Sequence, residues 1–261
     1  MHPKISVITI SYNNKEGLEK TLKSVISQDY KDFEYIVIDG GSNDGSKEVL
    51  EKYSGELSHW VSEPDKGVYH AMNKGIKASK GEYIVFVNSG DTYTASHILN
   101  ETAKHIDFTS EIIYFELNYI FPDNECKIVS YPEKLDFLFF VHQSLPHPGT
   151  LIRKKLFDQF GYYNENMKIC SDWAFFAKTI CKFEVSYKFV KIPVVNYSYD
   201  GLSSNPQSLP IILSEKKTFL RSEFPQYISI LEKINLAEEK IKKINNSRTL
   251  KILRKLGLTK L

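Results

Sequence analysis

Tyr35-Ile-Val-Ile-Asp-Gly-Gly-Ser-Asn-Asp-Gly-Ser46 sets an apolar, β-branched run directly against a string of Asp, Gly, Ser and Asn. Residues of the first kind favour a buried extended strand and those of the second a turn. Residues 47–53 then carry a helical pattern whose start Asp44 or Ser46 can cap. The unit has an earlier copy: residues 5–10 are β-branched and apolar, Ser11-Tyr-Asn-Asn14 is a polar turn, and Leu18, Leu22, Val25 and Ile26 follow at helical spacing. A later copy runs from Trp60-Val61 through Ser62-Glu-Pro-Asp-Lys-Gly67 into a helix over 68–78. The fourth strand, Tyr83-Ile-Val-Phe-Val87, is apolar throughout, as strands buried on both faces are, and ends at Asn88-Ser-Gly-Asp91. Strands alternating with helices predict an α/β fold, an open, mostly parallel sheet with helices on both faces. Ligands of such sheets bind outside the carboxyl ends of the strands, which places the site within residues 9–91.

Beyond residue 92 the pattern becomes α+β: a helix over 98–106, strands over 111–121 and 150–152, helices over 154–160 and 171–182, and a strand over 187–192. Residues 135–148 gather Phe, His, Gln and Pro. From 208 the chain is helical. The expected division is a domain over 1–205, with halves 1–92 and 93–205, and a helical, basic C-terminal extension over 206–261. Within it, residues 238–261 hold Lys240, Lys242, Lys243, Arg248, Lys251, Arg254, Lys255 and Lys260 against Glu238 and Glu239. Ile241, Ile244, Leu250, Ile252, Leu253, Leu256 and Leu258 lie among them, an amphipathic pattern suited to an anionic membrane surface. A helix packed on the domain or forming a homodimer fits it equally.

The 261 residues are 42% hydrophobic and can bury a large core. With 34 basic against 32 acidic residues, a net +2, the chain is not built to grip nucleic acid. Cys126, Cys170 and Cys181 match neither a disulfide framework nor a CxxC site, which suits a reducing, cytoplasmic setting. The first residues read straight into a strand rather than a signal peptide, and no apolar run is long enough to cross a membrane.

A dinucleotide site needs GxGxxG after the first strand, where Ser11-Tyr-Asn-Asn-Lys-Glu-Gly17 stands. A phosphate loop needs GK followed by Ser or Thr; residues 40–47 end in Gly-Ser-Lys, on the second strand. Asp39 is placed to accept hydrogen bonds from a base or ribose, with glycines behind it that admit a ligand; alone it is equally a turn former. Asp91 and the Asn88 amide suit a hard cation such as Mg²⁺ or Mn²⁺ on a pyrophosphate, or Asp91 caps the next segment.

In order and spacing these loops resemble the family 2 glycosyltransferases of the GT-A fold. The resemblance is carried by Ser6-Val-Ile-Thr-Ile-Ser-Tyr-Asn13, Phe33-Glu-Tyr-Ile-Val-Ile-Asp-Gly-Gly-Ser-Asn-Asp-Gly45 and Gly81-Glu-Tyr-Ile-Val-Phe-Val-Asn-Ser-Gly-Asp91. Ser62-Glu-Pro-Asp-Lys-Gly-Val-Tyr-His-Ala-Met-Asn-Lys-Gly75 is similar to the subgroup of colanic-acid, capsular and O-antigen transferases, which implies bacterial surface polysaccharide synthesis. The resemblance implies that Ser11, Tyr12 and Asp39 hold the nucleoside, that Asp65, Lys66 and Asn73 lie near base or diphosphate with Asn88 also binding the nucleotide-sugar, and that Asp91 ligates a divalent metal. The family motif is Asp-x-Asp, often with a further Asp; here Asn88 and Gly90 replace carboxylates, so metal affinity is expected to be weaker and Lys66 to share the diphosphate charge.

Inverting transfer needs one base to take the acceptor hydroxyl proton. Lys168-Ile-Cys-Ser-Asp-Trp-Ala-Phe-Phe176 resembles the family's Glu-Asp motif at a helix start, so Asp172 maps onto that base, with Ser171 in the Glu position. Without the resemblance, Asp172 is an acid in a favourable first turn. Cys170 as a nucleophile lacks a His partner. His142-Gln-Ser-Leu-Pro-His147 resembles the acceptor-facing segment, giving His142, Gln143 and His147 as acceptor contacts or metal-shell residues, or as packed structural histidines. Residues 197–204 read as a loop able to close over the donor. The expected partners are a nucleotide-diphospho-sugar and a saccharide or polyprenyl-diphospho-saccharide. A sugar-nucleotide pyrophosphorylase lacks support in 11–17, where its Gly-rich loop with Arg would lie. A non-catalytic nucleotide-sugar scaffold or sensor is the alternative.

Overall fold

The computed structural model describes residues 4–107, 109–199 and 201–247, together with Leu250 and Arg254. The N-terminal units form as their patterns dictate: β1 (Ile5–Ser11), α1 (Lys15–Ile26), β2 (Phe33–Asp39), α2 (Ser46–Tyr53), β3 (His59–Ser62), α3 (Val68–Ala78) and β4 (Tyr83–Phe86). There follow β5 (Thr92–Tyr93), α4 (Ile98–Ala103), β6 (Ile112–Ile120), β7 (Cys126–Val129), α5 (Phe137–His142), β8 (Leu151–Arg153), α6 (Lys155–Phe160), α7 (Ser171–Cys181) and β9 (Tyr187–Ser198). Helices α8 (Leu209–Glu223) and α9 (Pro225–Asn246) come last.

The strands form one sheet in the order β3-β2-β1-β4-β8-β6-β9-β5, with β7 paired to β6. It is parallel across β3, β2, β1 and β4 and mixed beyond. Strand order reverses beside β1, so the carboxyl ends of β1, β2 and β4 open onto one crevice. Both faces are covered. Ile5, Val7, Tyr35, Val37 and Val85 join Leu18, Leu22 and Val25 of α1 in the core. On the other face α3 presses so closely that a Cβ on Gly75 would lie 2.6 Å from Ile8 Cγ2 and 3.6 Å from Ile38 Cγ1.

Several details depart from expectation. Helix α2 is capped by Gly45 at φ +94°, and Asp44 instead accepts from the N–H and hydroxyl of Ser46. Strand β9 continues past residue 192 to Ser198, because the ladder accommodates Pro193 with a register shift at Glu116 instead of ending there. The expected closing loop therefore begins as strand, and its Asp200 lies outside the described residues. Two short strands, β5 and β7, carry no signal of their own and form only against β9 and β6.

The chain divides into two compact units, Met1–Glu215 and Lys216–Leu261, with the boundary inside α8. In α9, Ile241 and Ile244 are well exposed. Of the tail's remaining apolar residues, Ile252, Leu253, Leu256 and Leu258 lie outside the described residues. Among the described residues, no helix is long and apolar enough to cross a membrane.

Candidate active site

The three polar loops at the carboxyl ends of β1, β2 and β4 are sewn together by their own side chains. Asn14 caps α1 by accepting from Gly17 N at 3.1 Å, and Lys15 N donates to Asp44 Oδ2 at 2.8 Å. Asn13 bridges β1 to β2: its N–H donates to Ser42 Oγ at 2.7 Å, and its Oδ1 accepts from Asn43 N at 3.0 Å. The segment after β4 turns at Gly90, φ +105°, with Asp91 N donating to Asn88 O at 2.9 Å. Thr21 of α1 clamps this turn, its hydroxyl lying 2.7 Å from Asp91 O and 3.2 Å from Asn88 O and accepting from Gly90 N at 3.0 Å.

The residues singled out for the nucleoside converge only in part. Asp39 is wholly buried and accepts from Ser42 N, Ser42 Oγ and Ser62 Oγ at 3.0, 2.5 and 2.7 Å, so it organises the loop from within. Tyr12 is 67% exposed, while a Cβ on Gly40 would lie 3.2 Å from the Tyr12 ring and 3.3 Å from Asp65 Oδ2; these three line one spot. Asp65 Oδ1 lies 2.6 Å from Lys74 Nζ and 2.9 Å from His70 Nδ1. Burial works against the Lys74 charge, but the bonds to Asp65 and Glu63 prevail and raise its pKa. Lys66, expected to balance a diphosphate, is exposed beside this cluster, while Lys74 is paired with Glu63 and Asp65. Asn73 Nδ2 donates to Tyr163 O and Glu165 Oε1, each at 2.9 Å, and its Oδ1 accepts from Tyr163 N. That amide is spent on tying α3 to residues 163–165.

Buried Ser11 Oγ, Asp65 Oδ2 and Asn88 Oδ1 have no hydrogen-bond partner. Unpaired polar atoms are costly in a closed protein, and three of them around one crevice are what a polar ligand would satisfy. Asp91 is buried and accepts from Ser198 N at 3.1 Å. Among the described residues no group of three His, Cys, Asp or Glu stands ready for a metal. The donors present, one carboxylate and the buried, unpaired Asn88 oxygen, are the chemistry a hard cation takes when its other ligands come from water and a phosphate.

Asp172 sits in the first turn of α7, half-buried, and its Oδ1 accepts from the Tyr69 hydroxyl at 2.7 Å. Tyr69, in the first turn of α3, is buried; burial and the Asp172 charge hold its pKa well above the ordinary phenol value. Ser171 accepts from Asn164 N at 2.6 Å. His70 follows Tyr69 in sequence, so the start of α3 is bonded to Asp65 through one residue and to Asp172 through the other. Sequence reasoning passed over Tyr69, Lys74 and Thr21, since a helical Tyr, Lys or Thr carries no local mark of its partner.

His142 and Gln143 are exposed at the end of α5, which Asp136 caps through Phe139 N at 2.7 Å. His147 takes the packed position that is one of its expected roles. It is 6% exposed, stacked on Phe86 at 4.6 Å, with Nε2 2.9 Å from the Tyr163 hydroxyl. Burial lowers its pKa, partly offset by Asp172.

A doubly wound sheet with a polar crevice at its switch point, and a carboxylate at a helix start beside it, defines a nucleotide-sugar-type α/β enzyme. The glycosyl transferase family 2 profile matches residues 6–173, and the chain belongs to that family; it is a glycosyltransferase of GT-A fold. It is 31% identical over 186 residues to an uncharacterized glycosyltransferase of Mycobacterium tuberculosis, covering 69% of this chain and 71% of that one. A PGL/p-HBAD biosynthesis glycosyltransferase of Mycobacterium bovis is 26% identical over 208 residues, covering 78% and 80%. Among solved structures, S. aureus TarS 1–349 in complex with UDP-GlcNAc superposes with a TM-score of 0.63 at 20% identity, covering 87% of this chain and 73% of that one. The chain spans 44% of the longer TarS chain. The mannosyltransferase PcManGT from Pyrobaculum calidifontis, in complex with GDP-Man and Mn²⁺, gives 0.54 at 18% identity, covering 74% and 55%.

Proposed function

We propose that the chain moves a sugar, with inversion, from a nucleotide-diphospho-sugar to a hydroxyl of a saccharide or polyprenyl-diphospho-saccharide, with Asp172 as the base. The observation that carries this is the Asp172 carboxylate at the start of α7, held by Tyr69 of α3, whose neighbour His70 holds Asp65. Asp172 Oδ1 is committed to Tyr69, which leaves Oδ2 to take the acceptor proton as the acceptor oxygen attacks the anomeric carbon and the nucleoside diphosphate departs. Tyr12, Gly40 and the open atoms of Ser11 and Asp65 would receive the nucleoside, with Asp39 shaping the loop.

Asp91 and Asn88 would hold a divalent metal, Mn²⁺ or Mg²⁺, together with the donor. When bound, that ion supplies charge neutralisation for the leaving diphosphate. Lys74 is paired with Asp65 and Glu63 and holds that loop in place. We place the acceptor against the 93–205 half, with His142 and Gln143 exposed to it. The 206–261 extension, basic and carrying exposed Ile241 and Ile244, would rest on an anionic membrane surface at its cytoplasmic face. A relative named for PGL/p-HBAD biosynthesis in a bacterium and a fold neighbour holding UDP-GlcNAc support a biosynthetic sugar transfer, and we assign it to bacterial surface polysaccharide synthesis of the colanic-acid, capsular or O-antigen kind.

The single carboxylate of the 88–91 turn favours one other reading, a non-catalytic nucleotide-sugar scaffold or sensor. Asp172→Asn separates the two. The enzyme reading predicts that turnover falls by about 10²- to 10⁴-fold while the donor dissociation constant is unchanged. Full function in the variant would establish the scaffold.

A further inference from the structure

Three consecutive backbone amides just ahead of α7 converge on one carboxylate. The N–H of Lys168 donates to Glu215 Oε1 at 2.5 Å, and those of Ile169 and Cys170 donate to Oε2 at 3.1 and 3.0 Å. These amides lie at the N-cap and just ahead of it, outside the helical ladder, and the carboxylate serves all three with charge-assisted bonds. The same peptide is gripped from its other side. The Ile169 carbonyl lies 2.6 Å from the Tyr69 hydroxyl, and that hydroxyl lies 2.7 Å from Asp172 Oδ1. The single Tyr69 proton is shared between the Ile169 carbonyl and Asp172 Oδ1, so Glu215, the Ile169 peptide, Tyr69 and Asp172 are neighbours in one polar network. Glu215 stands on α8, outside the 6–173 stretch that matches the family profile.

We propose that Glu215 is a positioning residue for sugar transfer: by fixing residues 168–170 it sets where the Asp172 carboxylate meets the acceptor hydroxyl, and it makes α8 part of the working enzyme. This rests on the reading of Asp172 as the base. A simple helix cap would stabilise the fold and leave the turnover of folded enzyme alone.

The test uses the full chain as wild type, Glu215→Ala and Glu215→Gln. Amide hydrogen exchange is read at residues 168–170. Nucleoside diphosphate release is measured with a panel of UDP-, GDP-, TDP- and CMP-sugars. In Glu215→Ala, exchange at 168–170 rises about tenfold or more while that of β1 and β4 amides does not change, kcat falls about tenfold and the donor dissociation constant holds. Glu215→Gln, which keeps one acceptor oxygen and disturbs folding least, falls between. Unchanged exchange, or faster exchange with unchanged kcat, overturns the proposal. Wild-type turnover in Asp172→Asn would instead remove the base on which it rests, a result separable from the exchange data.

Discussion

Tyr69 shows how much of this site depends on single atoms. Its hydroxyl is buried between the Ile169 carbonyl and Asp172 Oδ1, and it has one proton to give. A bond to a carboxylate is worth about 1.5–3 kcal/mol, so Tyr69→Phe is expected to lower kcat about tenfold or more with donor affinity unchanged; equal loss in both, by steady-state kinetics and calorimetric titration, would contradict the assignment. His147 carries a pH effect of definite sign. Burial holds its folded-state pKa below the ordinary imidazole value. Below about pH 6.5 the unfolded chain binds a proton that the folded chain resists, so His147 stabilises the neutral fold and that contribution is lost as pH falls through this range. Melting temperature should therefore drop between about pH 7 and 5 more steeply in wild type than in His147→Gln; parallel curves would refute it. The sequence named Asp172, Asp65 and Asp91, because acids at strand and helix ends are conspicuous. It could not show that Asn73 bonds residues 163–165 or that His147 stacks on Phe86, since those partners come from distant stretches that no local pattern discloses.

The elements that form the crevice were plain in the sequence wherever an apolar run met a polar turn. Helix α3 matches its expected bounds, and β1, β2 and β4 match within a residue or two, because each is bounded by Gly, Ser, Asn or Asp. Strands β5 and β7 exist only through pairing, and β9 outran its expected end because Pro193 sits at a register shift. What aligns α3 is Gly75, whose missing side chain lets the helix approach β1 and so sets the positions of Asp65 and Tyr69. Gly75→Ala forces a contact 2.6 Å from Ile8 Cγ2. It is expected to cost about 1–3 kcal/mol, read as a lower urea midpoint at an unchanged slope; a midpoint within error of wild type would show that α3 has room to move.

At the scale of the molecule, one sheet serves two ends. Its parallel half presents loops cross-linked through Asn13, Asn14, Thr21 and Asp44, and its mixed half carries α7 with Asp172. The fold class could be read from the repeated strand, loop and helix of residues 5–91. The arrangement of the mixed half could not, since its strands pair across long separations in sequence. The buried, unpaired atoms of Ser11, Asp65 and Asn88 leave polar capacity at these loops that the protein does not satisfy itself. The direct measurement is thermal unfolding of the purified chain against UDP-, GDP-, TDP- and CMP-sugars, each with and without Mn²⁺. One nucleotide class should raise the melting temperature by about 5 °C or more at about 100 times its dissociation constant, and more with the metal than without it. No shift with any donor at millimolar concentration would contradict a nucleotide-sugar site at these loops.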